Sequence, residues 1–162
     1  MPKKITINVT DKISNSAIKE VRKYKAWVEA KEKELRMRLA SLGATVASIR
    51  FSGAIYNGTN DVSVRVDDDG TTATIYAEGE SVAFIEFGSG EKYGYGHPQA
   101  GELGVGPGTY PEGKGNWNNP KGWYYAKGKH SFGNPPAQAM YAAVQAITEQ
   151  VTMIAKEVFS NG

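Results

Sequence analysis

Residues 81–90 read SVAFIEFGSG and separate two unlike parts of the chain. Before them the sequence has the spacing of ordinary helices and strands, and after them comes a long stretch rich in glycine and aromatic residues. Residues 82–87 are almost wholly apolar, and they fit either a strand, with Val82, Phe84 and Glu86 on one side, or a single helical turn. Periodicity does not decide between these two structures in so short a segment.

Glu86 is the one acid inside this apolar run. A carboxylate removed from water needs hydrogen-bonding or charged partners, so we expect Glu86 to be buried and paired with backbone amides or with a lysine. The alternative is that Glu86 is the acid of a small cell-wall hydrolase, with the aromatic side chains downstream stacking on sugars. Such an enzyme needs two acids at a cleft, and the sequence does not select a partner among Glu91, Glu102 and Glu112.

The part of the chain before residue 60 predicts a strand and one long helix. Residues 3–10 alternate between apolar and polar side chains, which is typical of a half-buried strand. At a sheet edge, such a strand could also pair between subunits. Residues 14–42 carry apolar side chains three or four positions apart, and the same spacing continues past Gly43 to near Phe51. Gly43 could end the predicted helix, but a single glycine costs only about 1 kcal/mol, so the continued spacing favours a helix that runs through it.

A β-hairpin is predicted next, because residues 62–66 and 72–77 alternate on either side of an Asp-Gly turn. The three aspartates of this turn lack the ligand spacing of a calcium loop. The long helix has a second face of mixed positive and negative charge, which favours a solvent-exposed face. The alternative is a nucleic-acid binder that uses this helix and four lysines further on: Lys114, Lys121, Lys127 and Lys129.

Residues 88–134 are loop-like and hold 13 of the 19 glycines of the chain. Loops of that length inside a domain are uncommon, and they are usually either functional or disordered. Disordered segments are poor in aromatic residues, whereas this one contains many, so we predict an ordered contact surface. Within it, residues 123–126 and 129–132 are expected to pair as a short hairpin. The glycines at 88 and 90 are expected to act as hinges for the loop.

The end of the chain predicts a closing helix. Asn134 is its expected N-cap, and Pro135 and Pro136 are expected to open its first turn. Its apolar side chains are three or four positions apart and predict a core-facing stripe that packs on the sheet. The stripe consists of Met140, Val144, Ile147, Val151, Ile154 and Val158.

Together these elements predict an α+β fold. A small antiparallel sheet is packed by a long N-terminal helix and a C-terminal helix, with a long Gly/aromatic-rich loop insertion. We expect a single domain over residues 1–162. Its framework is formed by residues 1–87 and 135–162, and residues 88–134 form an assembly loop.

Composition narrows the range of functions. The 162 residues include no cysteine and carry a net charge of +2, which excludes disulfide scaffolds and cysteine-ligated zinc and does not by itself imply a nucleic-acid partner. No secretory signal or membrane-spanning run is evident. His97 and His130 lack metal-ligand spacing, and there is no G-x-S-x-G or phosphate-loop motif. We therefore expect neither an enzyme nor a metal or cofactor site, and a protein made in the cytoplasm.

The order of several short motifs resembles a known family. The strand, long helix and hairpin are followed by Phe84-Ile85-Glu86-Phe87-Gly88-Ser89-Gly90, His97-Pro98 and Gly106-Pro107-Gly108-Thr109-Tyr110. Gly122-Trp123-Tyr124-Tyr125 and Gly133-Asn134-Pro135 come next, and Met140-Tyr141 lies in the closing helix. This order is similar to that of the tail-completion, or neck (head–tail joining), proteins of long-tailed bacteriophages, and the similarity covers nearly the whole chain.

The resemblance implies a structural virion protein without a cofactor or catalytic residue. Members of the family form homo-oligomeric rings, here expected to be hexameric, that complete the tail and join it to the head–tail connector. The implied partners are other copies of the chain, the connector or stopper protein, and the tail terminator or tail tube. DNA would pass through the ring lumen without sequence-specific binding, and no membrane is involved. The implied location is the neck of the virion, and the host cytoplasm during assembly. A tail terminator ring is the alternative.

The candidate assembly contacts are the residues around the start of the loop and its exposed aromatic side chains, which would gain burial on assembly. They are Glu86, Phe87, Gly88, Tyr93, Tyr95, Tyr110, Trp117, Trp123, Tyr124 and Tyr125.

Overall fold

A computed structural model describes residues 13–110 and 117–160, and it confirms the α+β fold. The predicted strand at residues 3–10 lies outside the described residues. In chain order, the elements are α1 (Ile13–Ser52), β1 (Ser63–Asp68), β2 (Ala73–Glu78), α2 (Val82–Glu86), α3 (Ala100–Leu103), β3 (Trp123–Tyr125), β4 (Lys129–Ser131) and α4 (Ala139–Ser160).

Helix α1 is continuous through Gly43, as the spacing of its apolar residues predicted. The glycine is buried where α1, β2 and α4 meet. A Cβ atom at this position would lie 2.6 Å from Cδ1 of Ile75 and 2.7 Å from Cδ1 of Ile147. The helix therefore accepts the conformational cost of a glycine, about 1 kcal/mol, because its absent side chain lets a strand and a second helix approach.

The predicted hairpin is formed by β1 and β2, which pair antiparallel with Ser63 opposite Glu78 and Asp68 opposite Ala73. Its inner face is partly buried against α1, and its outer face is exposed. Arg36 of α1 donates to Asp68 at 2.8 Å, a hydrogen bond that lowers the pKa of Asp68 and holds the turn end of the hairpin on the helix. The turn lies at residues 69–72 and not at 67–70 as predicted, because Asp67 and Asp68 belong to β1. The Asp69 carboxylate accepts hydrogen bonds from the backbone amides of Thr71 and Thr72 there.

Helix α4 packs mainly along α1. The predicted core stripe is wrong in two places, because Val144 is 58% exposed and Val151 is 36% exposed. The interface is turned towards Ala139 and Ala143, which are fully buried. Small residues let the two helix backbones approach closely, and a pattern that weighs only large apolar side chains does not register them. The other buried residues of α4 are Ile154 and Val158.

The N-terminal part of α1 extends beyond the end of α4. The last turn of α4 meets α1 where the rings of Trp27 and Phe159 lie 6.0 Å apart. Residues 13–26 continue for about 20 Å past this point, and Ile18 and Val21 on them are 46% and 50% exposed.

None of the helices described here combines the length and the apolar composition that a membrane span requires.

The core lies at the C-terminal end of α1. Phe51 from α1 and Ile85 from α2 are almost completely buried there, and the rings of Tyr56 and Phe84 stack with centroids 4.4 Å apart. Residues 82–86 form a short helix, which settles the ambiguity of the sequence in favour of the helical turn. This turn directs Phe84 and Ile85 into the core and places Glu86 beside the start of α4.

We expect the substitution Gly43→Val to lower the free energy of unfolding by about 1–3 kcal/mol, the usual cost of overpacking a filled site. The added side chain has no space between Ile75 and Ile147. Ala30→Val is the matched control, because it places the same side chain on an exposed position of α1 and is expected to change stability by less than about 0.5 kcal/mol. Urea unfolding measures both. Equal stability of the two variants would contradict the packing assigned to Gly43.

Candidate functional site

The carboxylate of Glu86 caps the N-terminus of α4. One oxygen accepts a hydrogen bond from the backbone amide of Ala139 at 2.6 Å, and the amides of Met140 and Tyr141 donate to the carboxylate at 3.0–3.1 Å. These are the first amides of the helix, which have no partner within it. Glu86 is only 4% exposed, and its negative charge lies at the positive end of the helix dipole. The prediction of a buried carboxylate paired with backbone amides is confirmed.

His97 completes the surroundings of this carboxylate. Its Nε2 lies 3.2 Å from Oε1 of Glu86, and its Nδ1 accepts a hydrogen bond from the amide of Gln99 at 3.2 Å. Because Nδ1 is an acceptor, the proton of the neutral ring is on Nε2, which donates to Glu86. The ring also packs against Phe87 and Tyr141. His97 is therefore buried and makes a polar contact with Glu86.

The two ends of the assembly loop, residues 88–134, are held together at its base. Ser89 and Asn134 form an isolated antiparallel bridge, with amide-to-carbonyl distances of 2.9 and 3.1 Å. Their side chains also contact each other, and the side-chain amide of Asn134 donates a hydrogen bond to the backbone carbonyl of Phe84 at 2.9 Å. The predictions that Asn134 caps α4 and that Pro135 and Pro136 open its first turn are both wrong. The helix begins five residues later, at Ala139, and Glu86 occupies the cap.

Glycine is required at this base by both conformation and space. Gly88 and Gly90 have φ angles of +81° and +76°, in a region that residues with a side chain rarely adopt. A Cβ atom at Gly90 would lie 2.5 Å from the carbonyl oxygen of Phe132, on the returning part of the loop. These glycines therefore allow the two ends of the loop to come into backbone contact. Whether they also act as hinges stays a prediction.

Three aromatic residues of the loop face inwards, and two of them, Tyr110 and Trp123, pack against the core. The Tyr110 ring packs on Phe84, its hydroxyl donates to the carbonyl of Gly88, and burial raises the pKa of this tyrosine. Trp123 packs against the core and donates from Nε1 to the side-chain oxygen of Asn57 at 3.1 Å. Tyr125, two positions later on the same face of β3, is also partly buried. Three more of the predicted assembly contacts are also in contact with other parts of the same chain: Glu86, Phe87 and Gly88.

A continuous row of exposed side chains lies on the opposite side of the loop. We call Lys92, Tyr93, Tyr124, His130 and Phe132 the aromatic strip. The ammonium group of Lys92 lies 5.0 Å from the ring centroid of Tyr93 and 4.8 Å from that of Phe132. His130 packs edge-on against both Phe132 and Tyr124, at 4.6 and 4.7 Å. Tyr124 is 75% exposed.

The aromatic strip includes two of the predicted contact residues, Tyr93 and Tyr124. The other three members, Lys92, His130 and Phe132, were not predicted. They join the strip because β3 pairs with β4 and the two ends of the loop are held together. The hairpin of β3 and β4 is as predicted. The other two exposed candidates lie elsewhere: Tyr95 lines a small groove rich in glycine, and Trp117 accepts a backbone bond from the amide of Glu91.

Within residues 13–110 and 117–160, no cluster of histidine and acidic side chains could hold a metal ion. Glu91 and Glu102 are exposed on the loop, Glu112 lies outside the described residues, and both oxygens of Glu86 are bonded within the chain. Comparisons of the chain with protein-family models, with curated proteins and with solved structures found no match.

We expect Glu86→Gln to lower the free energy of unfolding by about 2–4 kcal/mol, because it removes a buried charge that accepts several charge-assisted bonds. Its amide group would also direct a donor at the helix amides. Glu91→Gln, an identical change on an exposed loop residue, is the control and should leave stability within about 0.5 kcal/mol. Denaturant unfolding at neutral pH checks both. A Glu86→Gln variant as stable as the parent would contradict the capping role.

Proposed function

We propose that this protein is a structural subunit of the neck of a long-tailed bacteriophage. In this role it forms a ring that completes the tail and joins it to the head–tail connector. The motif order described above supports this proposal at the level of resemblance. The observation that carries it is the aromatic strip, an exposed surface on a loop that is rigidly tied to the folded framework. A tail terminator ring remains the alternative, since it would need the same kind of surface.

The anchoring of the loop is what a ring subunit needs. A surface that is ordered before contact loses little conformational entropy when it binds, so more of its contact energy is available for assembly. The bond from His97 to Glu86, the Ser89–Asn134 bridge and the partly buried ring of Tyr110 all hold the loop in place. The aromatic strip is therefore presented in one geometry.

The chemistry of the aromatic strip suits a protein partner. Tyrosine, tryptophan and arginine dominate the energetics of protein interfaces because large, partly polar side chains bury much surface at little entropic cost. Tyr93 and Phe132 are 42% and 38% exposed, so each still has apolar surface to bury. The exposed Lys92 between them would give the contact a preference for a carboxylate or a carbonyl on the neighbouring surface.

Helix α1 supplies a second projecting surface. Its first turns reach about 20 Å beyond the end of α4 and expose Ile18 and Val21 among charged side chains. A long, stiff projection of this kind can reach a neighbouring subunit, the connector or stopper, or the tail terminator or tube. The net charge of only +2 fits a lumen through which DNA passes, because a strongly basic lumen would retain it.

The hydrolase alternative gains no support from Glu86. A general acid must reach the substrate and exchange a proton with it. The Glu86 side chain is 4% exposed and bonded to three helix amides and an imidazole. Its environment is that of a helix cap.

A phage that lacks this protein is expected to produce DNA-filled heads and separate tails, because the joining ring would be incomplete. Electron microscopy of lysates measures the fraction of joined particles, and infectivity is expected to fall in parallel. Supplying the protein from a plasmid is the control and should restore both. Joined, infectious particles in the complete absence of the protein would refute the proposed function.

The aromatic strip can be tested in the same complementation assay. Tyr124→Ala combined with Tyr93→Ala should reduce joined particles more than tenfold, since loss of a central aromatic contact typically costs at least about 2 kcal/mol. The exposure of both side chains means that folding should be unaffected. Tyr76→Ala, on the outer face of β2 and 38% exposed, is the matched control and should complement normally. Full activity of the strip variant would exclude the strip as an assembly contact.

A further inference from the structure

The hairpin of β1 and β2 has no further strand along either of its edges among the described residues. β1 pairs with β2 on one side, and within residues 13–110 and 117–160 no strand lies along its other side. Exposed strand edges attract pairing with further strands, and proteins usually cover or disrupt them. β1 contains neither a proline nor a bulge in its pairing with β2. Its outer edge is therefore suited to receive an added strand.

An apolar groove runs beside this edge. It has a volume of about 430 Å³ and lies between Val66 of β1 and the face of α1 that includes Met37, Ala44 and Ile49. Met37 and Ile49 are 37% and 66% exposed, so apolar surface is available on its wall. From Met37 to Ile49 the helix rises about 18 Å, which matches the length of five or six strand residues.

We propose that residues 3–10 of one copy of this chain pair as an added antiparallel strand with β1 of a neighbouring copy. The segment reads KITINVT from Lys4 to Thr10 after Lys3, and its alternation predicts a strand. This inference names the partner through which the proposed ring would close, and in that sense it rests on the proposed function.

One register fits both the apolar pattern and the charges. When Ile7 lies opposite Val64, the apolar residues at 5, 7 and 9 face the valines at 66, 64 and 62, on the side of the groove. On the other face, Lys4 then lies opposite the exposed Asp67. Apolar and opposite-charge pairs across neighbouring strands both stabilise the pairing. A shift by one residue would place the apolar side chains in solvent.

The chain cannot place this segment on its own β1. Met37 lies about 36 Å along α1 from Ile13, because an α-helix rises about 1.5 Å per residue. The three residues that join residue 10 to residue 13 span at most about 10 Å. Residue 10 therefore cannot reach the groove of its own chain, even though the far end of the segment can approach it. A second copy is the occupant that the geometry allows.

Cysteine cross-linking tests this pairing directly, because the natural chain contains no cysteine. One full-length population carries Asn8→Cys and a tag that alters its size, and the other carries Ser63→Cys. In the proposed register these two residues lie opposite each other. Mild oxidation of the mixture is expected to give a disulfide-linked pair of unequal chains, in at least tenfold higher yield than Asn8→Cys mixed with Thr74→Cys, a control on the outer face of β2.

Two further variants test whether the cross-link depends on the apolar face of the segment. Ile7→Asp, added to the Asn8→Cys chain, should remove the cross-link because it places a charge in the groove, whereas Thr6→Asp on the opposite face should not. A yield equal to the Thr74→Cys control would overturn the inference. So would an internal disulfide in a dilute, monomeric Asn8→Cys/Ser63→Cys chain, because it would show that the segment reaches its own β1.

The cross-linking experiment and the particle assay test the two proposals separately. If the pairing forms but particles join without the protein, the proposed neck function is wrong and the strand exchange stands. If particles require the protein but the cross-link stays at the control level, the neck function stands and the strand exchange is wrong.

Discussion

The fold depends on the bond between a buried carboxylate and the start of the last helix. Glu86 lies 53 residues before Ala139, yet it accepts the amides that begin α4. Backbone bonds reinforce the junction, since the amide of Ala137 donates to the carbonyl of Ile85 and that of Gln138 to the carbonyl of Glu86. An uncompensated carboxylate at this depth would be strongly unfavourable. Closure of the loop, formation of the cap and docking of α4 on α1 are therefore expected to occur together.

Much of the fold could be predicted from the sequence because its signals are local. The period of apolar residues in α1 was strong enough to override Gly43, and the Asp-Gly turn identified the hairpin. Local signals failed where the partner is distant. Asn134 looks like an N-cap from its neighbours alone, but its side chain bonds to Phe84 while the cap comes from Glu86. No spacing within the sequence indicates a bond between residues so far apart.

The sequence allowed only part of the side-chain arrangement in the loop to be predicted. An aromatic-rich, ordered loop was expected, and the division between its inner and outer side chains was not. Part of that division could have been predicted from the sequence, because the alternation in β3 turns Trp123 and Tyr125 inwards and Tyr124 outwards. The contribution of Lys92 and Phe132 to the aromatic strip could not have been predicted from the sequence. It arises only when the end of the loop, which holds Phe132, lies beside its beginning, which holds Lys92.

The bridge between Ser89 and Asn134 also makes the length of the loop independent of the framework. With both ends fixed side by side, residues added or removed at the tip leave the separation of the ends unchanged. The entropic free-energy cost of closing a flexible loop grows only slowly, by about 0.6 kcal/mol for each doubling of its length. A longer or shorter tip is therefore expected to leave the packing of the helices and the hairpin unchanged.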